Sequence, residues 1–233
     1  MALQVHEIFS SINGEVSNHH QGSLCTFLRL QGCNLRCAYY CDTVKAQNIE
    51  LAGTDGCVSK SMTISQIVTE LKKQKNTHIT ITGGEPMLQS KELEKLIAIL
   101  HKEWFKVSIE TNGSILLSHK WPWNIVDWVI DYKLPYSGVC MDMKDENFTR
   151  LGDTDIVKFV VSSHSDFVFA ERRVSLIKKE CMGNIQTYPT FAFSPCKKKM
   201  PVESLYELMS KSDVLKEVGA VLSVQLHKII GVS

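Results

Sequence analysis

The chain has 233 residues, of which 26 are basic and 25 acidic, and its formal net charge is +1 at pH 7. This balance argues against a protein that mainly coats nucleic acid or an anionic membrane surface, because such binding relies on an excess of Lys and Arg. No apolar stretch approaches the roughly 20 residues that span a bilayer, and residues 1–10 lack the apolar centre of a secretory signal. We therefore expect a single cytoplasmic domain over residues 1–233 that acts on a small molecule.

Predicted strands and helices alternate along the chain. Apolar and β-branched runs predict strands at residues 25–30, 79–82, 106–110, 128–131, 156–161, 186–191 and 221–225. Apolar side chains at helical spacing predict helices at residues 64–71 behind a capping Thr63, at 93–100 behind Ser90, at 166–179 and at 202–216. This alternation is typical of an α/β protein with a mostly parallel sheet.

Three polar motifs directly follow predicted strands. They are GGEP at residues 83–86, ETNG at residues 110–113 and DYKLP at residues 131–135. Each motif taken alone is more often an ordinary turn. Parallel strands, however, bring their carboxyl ends to one edge of the sheet, where loops carry the chemistry. The three motifs together therefore predict a functional site at that edge.

The eight cysteines are of two kinds. Cys33, Cys37 and Cys41 lie within nine consecutive residues, and such crowding is typical of metal binding. The remaining cysteines are isolated, as small buried hydrophobic side chains usually are: Cys25, Cys57, Cys140, Cys181 and Cys196. A reducing compartment would not keep such a set oxidised, so disulfides do not explain them.

The spacing of the three crowded cysteines is compatible with an incomplete zinc site, an iron-sulfur site or accidental crowding. A structural zinc ion needs four ligands, usually as two short pairs, and the adjacent His19 and His20 make a poor chelating pair. A four-iron cluster held by three cysteines leaves one iron open for an outside ligand. The missing fourth ligand therefore favours the cluster without excluding the other two interpretations.

The three cysteines, with an aromatic residue before the last of them and GGEP downstream, resemble the radical S-adenosylmethionine superfamily. Within it, the chain resembles the 7-carboxy-7-deazaguanine synthase family from about His6 to Gly231. The segments that carry this second resemblance are EIFSSINGE, FLRLQGCNLRC, CDT, ETNG, KFVVSS and QLHKIIG. The resemblance implies a partial (β/α)6 barrel and a lyase that forms 7-carboxy-7-deazaguanine from 6-carboxy-5,6,7,8-tetrahydropterin with loss of ammonia, in queuosine and deazapurine biosynthesis.

The resemblance also implies which residues form the site. One 4Fe-4S cluster would be held by Cys33, Cys37 and Cys41, and Mg²⁺ by Thr43. The implied partners of S-adenosylmethionine are Gly83, Gly84, Glu85, Asn112, Lys133 and Ser162. The implied substrate-binding residues are Asn13, Gly14, Glu15, Arg29, His227 and Lys228, with Arg29 for the carboxylate and Glu15 for the aminopyrimidine donors. A one-electron reductant such as flavodoxin or ferredoxin and a homodimer are implied too, with no direct contact to nucleic acid or membrane.

The chain departs from the family pattern at two places. Ala38, Tyr39 and Tyr40 separate Cys37 from Cys41, one residue more than the usual superfamily spacing, and Asn13 to Val16 reads NGEV where the family commonly has QGEG. Two other functions share some of these features. A glycyl-radical activating enzyme would need a broad face for a protein partner, and a noncatalytic metal-binding module would not bind S-adenosylmethionine.

Overall fold

The computed structural model describes residues 2–39, 41, 43–47, 59–117 and 125–232. Within these ranges the strands form one sheet in the order β3-β1-β2-β4-β5-β6-β7-β8-β9. The strands are β1 (Ala2–Ile12), β2 (Leu24–Leu30), β3 (Lys60–Thr63), β4 (His78–Gly83), β5 (Lys106–Thr111), β6 (Asp127–Asp131), β7 (Ile156–Val161), β8 (Thr190–Pro195) and β9 (Val221–Leu222). The helices are α1 (Ile64–Lys73), α2 (Ser90–Lys102), α3 (His164–Asn184), α4 (Val202–Lys211), α5 (Asp213–Glu217) and α6 (Leu226–Ile230).

Most of the sheet is parallel. β2 pairs in parallel with β4, and each strand from β4 to β9 pairs in parallel with the next one. β1 is antiparallel to both β2 and β3, at one edge of the sheet. This open, mostly parallel sheet confirms the predicted α/β class.

Alternating residues along the strands give the sheet two different faces. Ile79 and Ile81 of β4 are fully buried in the hydrophobic core, as are Phe159 of β7 and Phe193 of β8. The helices pack on this apolar face, α2 against β5, α3 against β7 and α4 against β8. The intervening positions near the carboxyl ends carry polar side chains: Thr82, Glu110, Asp131, Lys158 and Ser194. The candidate functional site therefore lies on the polar face of the sheet.

Several predicted boundaries agree with the structure and others shift for identifiable reasons. Thr63 caps α1 in a capping box with Gln66, as predicted. The strand predicted at 186–191 begins at Thr190 because α3 runs on to Asn184 and Gln186 has a φ of 61°, which a strand does not allow. The helix predicted at 202–216 divides at Ser212, whose hydroxyl caps α5.

The structure adds β1, β3 and α6, which the sequence pattern did not predict, and shortens the strand predicted at 221–225 to Val221–Leu222. A register shift between Val5 and Glu7 interrupts the alternation of β1, and this hides its strand signal. Ser90 is the first residue of α2 rather than its cap. In the described part of the chain, every helix is too short or too polar to cross a membrane.

Candidate active site

The cysteine loop leaves the carboxyl end of β2 and is fixed by backbone hydrogen bonds. Gly32 N donates to Ala46 O at 2.7 Å, Cys33 N to Gln47 O at 3.0 Å and Ala38 N to Ser137 O at 2.9 Å. All three thiols of Cys33, Cys37 and Cys41 line one cavity of about 980 Å³. Tyr40 and Asp42 lie outside the described residues. The loop thus presents its three potential metal ligands to a space large enough for further ligands.

The three cysteines of this loop do not fit a site for a single metal ion. Burial raises the pKa of the Cys33 and Cys37 thiols, so bound iron would have to stabilise their thiolates. Within the described ranges, no three His, Cys, Asp or Glu side chains converge on one metal position. A four-iron cluster does not require such convergence, because each thiolate binds a different iron. The residues therefore fit a cluster better than a structural zinc ion.

The isolated cysteines behave mostly as buried side chains. Burial raises the pKa of the Cys25 and Cys181 thiols to about 11 in each case. Cys196 is also buried, but it lines the large cavity, which its isolated position in the sequence did not indicate. Cys140 is partly exposed, and Cys57 lies outside the described residues.

The two glycines of the GGEP motif let backbone segments pack closely. A Cβ on Gly83 would lie 2.1 Å from Leu30 O, and one on Gly84 would lie 2.1 Å from Gly32 O. Gly83 also has a φ of +147°, which disfavours other residues. Both glycines line the cavity, so they serve the site and also hold β4 against the start of the cysteine loop.

Glu85 is fully buried and does not appear among the described residues that line the cavity. Its carboxylate accepts hydrogen bonds from Thr111 Oγ1 at 2.7 Å, Asn112 N at 2.7 Å and Met87 N at 2.8 Å. Burial raises the pKa of Glu85, while these three donors oppose the rise. Glu85 thus ties the end of β5 to the end of β4 and thereby fixes Asn112.

The other residues assigned to S-adenosylmethionine lie at successive strand ends. Asn112 lines the cavity and donates to Asn34 Oδ1 at 3.1 Å. Lys133 lines it too, with Nζ 2.6 Å from Asp131 Oδ2. Burial would lower the pKa of Lys133, but the Asp131 carboxylate raises it well above its usual value. Ser162 is buried just outside the cavity lining, and its hydroxyl has no hydrogen-bond partner among the described residues.

Five of the six residues assigned to substrate line the same cavity: Gly14, Glu15, Arg29, His227 and Lys228. Arg29 Nε donates to Glu7 Oε1 at 2.7 Å, and Glu15 forms an ion pair with Lys158. Gln225 Nε2 donates to Glu15 Oε1 at 2.7 Å. The Lys158 charge lowers the pKa of Glu15 although burial acts to raise it.

Gly14, His227 and Lys228 belong to the cavity lining as well. His227 packs so tightly on Gly14 that a Cβ there would lie 1.7 Å from His227 Nδ1. Lys228 Nζ donates to Gln225 Oε1. Asn13 is placed elsewhere: it is buried and bonds Thr80 Oγ1 at 3.0 Å, away from the cavity lining.

Among the charged residues of the cavity that were not predicted as site residues, three lie on the polar face of the strands, and each belongs to one of the segments ETNG, DYKLP and KFVVSS. They are Glu110, Asp131 and Lys158. Burial raises the pKa of Glu110, and the nearby Glu15 carboxylate raises it further. The signal that identifies all three is the alternation of polar and apolar residues at the strand ends, which places them on the face opposite the core.

Thr43 offers the single oxygen that the sequence assigned to magnesium. Its hydroxyl donates to Gly83 O at 3.2 Å and lies 3.4 Å from Cys41 Sγ. The side chain lines the cavity beside the cysteine loop. A magnesium ion held at this position would need most of its ligands from water and substrate.

Comparisons with known proteins agree with this fold. Residues 28–138 match the model of the Radical SAM superfamily. The chain is 36% identical over 231 residues to 7-carboxy-7-deazaguanine synthase of Clostridium acetobutylicum, covering 99% of this chain and 96% of that protein. It is 34% identical over 235 residues to the enzyme of the same name from Methanospirillum hungatei, covering 98% and 86%.

The fold also occurs in a solved structure. The crystal structure of QueE from Escherichia coli superposes with a TM-score of 0.74 at 19% sequence identity, covering 97% of this chain and 94% of that one. Fold and cysteine loop together define a radical S-adenosylmethionine enzyme. The chain belongs to the 7-carboxy-7-deazaguanine synthase family, as its nearly full-length relatives show.

Proposed function

We propose that the chain converts 6-carboxy-5,6,7,8-tetrahydropterin to 7-carboxy-7-deazaguanine and ammonia, the reaction expected of its family. The supporting observation is that the three cysteines line one cavity together with charged residues that suit a carboxylated pterin, Glu15 and Arg29 among them. When bound, the 4Fe-4S cluster would supply the electron that cleaves S-adenosylmethionine to a 5'-deoxyadenosyl radical. The product would enter queuosine and deazapurine biosynthesis.

The residues present fit these cofactors. Cys33, Cys37 and Cys41 would hold the cluster, and Asn112 and Lys133 offer polar groups in the same cavity. Two shielded polar atoms have no partner among the described residues, as expected where a polar ligand binds: Asp131 Oδ1 and Ser162 Oγ. Gly83 and Gly84 bring backbone to the same place, and Glu85 would act by fixing Asn112.

The substrate would be held by charge and hydrogen bonds. Arg29 would bind its carboxylate, and Glu15 would accept hydrogen bonds from its aminopyrimidine donors. Gly14, His227 and Lys228 would complete the substrate site, while Asn13 would act indirectly through its buried hydrogen bonds. Thr43 would provide one oxygen for Mg²⁺ beside the substrate carboxylate.

We further propose a domain organisation, a location and partners for the enzyme. Residues 1–233 would act as one domain, because strands from both ends of the chain share one sheet. The protein would work in the cytoplasm as a homodimer and take electrons from flavodoxin or ferredoxin. It would not contact nucleic acid or membrane directly, in keeping with its net charge of +1.

Anaerobic reconstitution with iron and sulfide, followed by S-adenosylmethionine and the carboxylated pterin, tests the proposal. We expect deoxyadenosine and 7-carboxy-7-deazaguanine as products. Cys33→Ala should lose bound iron and both products, whereas the matched Cys140→Ala, outside the cavity lining, should keep them. Failure of the wild-type protein to hold a cluster would refute the radical chemistry, and deoxyadenosine without pterin conversion would refute the substrate.

A further inference from the structure

The loop of residues 13–23 joins β1 to β2 and carries one of the charged groups of the cavity. Glu15 of this loop lines the cavity, where it pairs with Lys158 and accepts from Gln225 Nε2 at 2.7 Å. Two residues earlier in the chain, Asn13 is buried and lies outside that lining. The contacts that hold Asn13 therefore set where the loop begins and where Glu15 can reach.

The side-chain amide of Asn13 is anchored on β4. Its Oδ1 accepts from Thr80 Oγ1 at 3.0 Å, and its Nδ2 lies 3.1 Å from His78 Nδ1. Because an amide nitrogen only donates, His78 Nδ1 must be the acceptor. The proton of the neutral ring is then on Nε2, which donates to Ser108 Oγ at 3.0 Å. One tautomer of His78 thus satisfies both ring nitrogens.

His78 keeps this tautomer because it does not take up a second proton at neutral pH. Burial lowers the pKa of His78 to about 3, and the nearby charges of His19 and Lys106 act in the same direction. A proton on Nδ1 would place a donor against the donating amide of Asn13. His78 is therefore a constant acceptor for Asn13.

A second residue of the loop packs on the same histidine. The rings of His19 and His78 meet edge to face, with 4.2 Å between their centroids and an interplanar angle of 70°. His19 Nε2 also lies 2.8 Å from Asp127 Oδ2, at the start of β6. His78 thus contacts the loop both at its first residue and in its middle.

A buried imidazole is costly unless both of its nitrogens are bonded, and an apolar side chain would fill the same space without this requirement. We propose that His78 is a positioning residue for the substrate: it fixes Asn13 and thereby holds Glu15 toward the aminopyrimidine donors of the pterin. This inference rests on the proposed function, because it assigns Glu15 to the carboxylated pterin.

Two amide substitutions separate the contact with Asn13 from the burial of a polar group. The amide oxygen introduced by His78→Asn lies two bonds from Cβ, as Nδ1 does, and can accept from Asn13. The one introduced by His78→Gln lies three bonds from Cβ, as Nε2 does, and reaches Ser108 instead. On reconstituted protein kept without oxygen, His78→Gln should raise KM for the carboxylated pterin about 3- to 10-fold and change kcat less than about 2-fold. His78→Asn should keep the wild-type KM.

The iron content of both variants, and their affinity for S-adenosylmethionine in titration calorimetry, should match wild type. In a Glu15→Gln background, His78→Gln should raise KM less than about 2-fold further, because the residue that it positions has lost its carboxylate. An unchanged KM in His78→Gln, an equal rise in both variants, a matching loss of cofactor affinity, the full rise in the Glu15→Gln background or failure of both variants to fold would each overturn the positioning role. The proposed function survives these results if the wild type converts the pterin, whereas a wild type that makes no product overturns both.

Discussion

The close packing of Gly84 against the cysteine loop makes Gly84→Ala an informative perturbation. The added Cβ would lie 2.1 Å from Gly32 O, 2.5 Å from Gly32 C and 2.8 Å from Ala46 O. All three are backbone atoms, so no rotation of a side chain relieves the contact. Reaching ordinary van der Waals separation, which begins at 3.4 Å, requires the loop to move away from β4 by at least about 1.3 Å.

The cost follows from the crowding and from the hydrogen bonds that the movement weakens. Inserting a methyl group into a packed interior costs about 1–3 kcal/mol. The same movement stretches Glu85 N to Gly32 O at 2.6 Å and Gly32 N to Ala46 O at 2.7 Å, bonds worth about 1 kcal/mol each. We therefore expect a loss of about 2–4 kcal/mol, which lowers the melting temperature by about 5–15 °C for a domain of this size.

Thermal unfolding of the reduced, metal-free protein followed by circular dichroism measures this loss, and iron content after reconstitution measures its effect on the cysteine loop. Both should fall in Gly84→Ala. Gly183→Ala in α3 is the matched control, because a Cβ there has no neighbour within 4 Å and should stabilise the helix by about 0.5–1 kcal/mol. Wild-type melting temperature and iron content in Gly84→Ala would show that the loop does not depend on this contact.

Three further predictions follow from the same geometry. Glu85→Gln leaves at least one buried donor unpaired and should cost about 1–3 kcal/mol in urea unfolding, whereas an unchanged midpoint would contradict its clamping role. Arg29→Gln should raise KM for the carboxylated pterin about 10- to 100-fold, with exposed Arg172→Gln as control; an unchanged KM would exclude Arg29 as the carboxylate partner. Burial lowers the pKa of His78 to about 3. Since unfolded His78 binds a proton more readily, the wild type should lose stability as pH falls from about 6.5 toward 3, and an equally steep loss in His78→Gln would refute this cause.

The alternation of strands and helices was predictable because it is encoded in local sequence patterns. The apolar stripes of α1 and α2 and the β-branched runs of β4 and β7 depend only on neighbouring residues, and the structure confirms them. β1 was not predictable in this way because its bulge between Val5 and Glu7 breaks the period-two pattern. Its place beside β2 depends on pairing with residues far along the chain.

The cysteine loop and the strand-end motifs were recognisable because their residues are close in sequence. The pairing of the charged side chains in the cavity was not recognisable. Lys158 meets Glu15 across 143 residues, and Gln225 meets Glu15 across 210. No local pattern records such a pair. The alternation on β7 places Lys158 on the polar face, yet only the assembled sheet shows which carboxylate it faces.

The partners of the cavity charges impose a condition on substrate binding. Arg29 is paired with Glu7, Lys158 with Glu15, and Lys133 with Asp131. Each cation is buried beside a carboxylate, and this pairing offsets part of the free-energy cost of removing the two charges from water. A substrate carboxylate therefore has to share or replace an existing partner, and Arg29 is the cation best suited to this, because its partner Glu7 has the most exposed side chain of the three carboxylates. The aminopyrimidine donors of the substrate would likewise share Glu15 with its partner Lys158. Recognition of the two ends of the pterin is thereby coupled, because at each end the substrate has to share or replace an ion-pair partner.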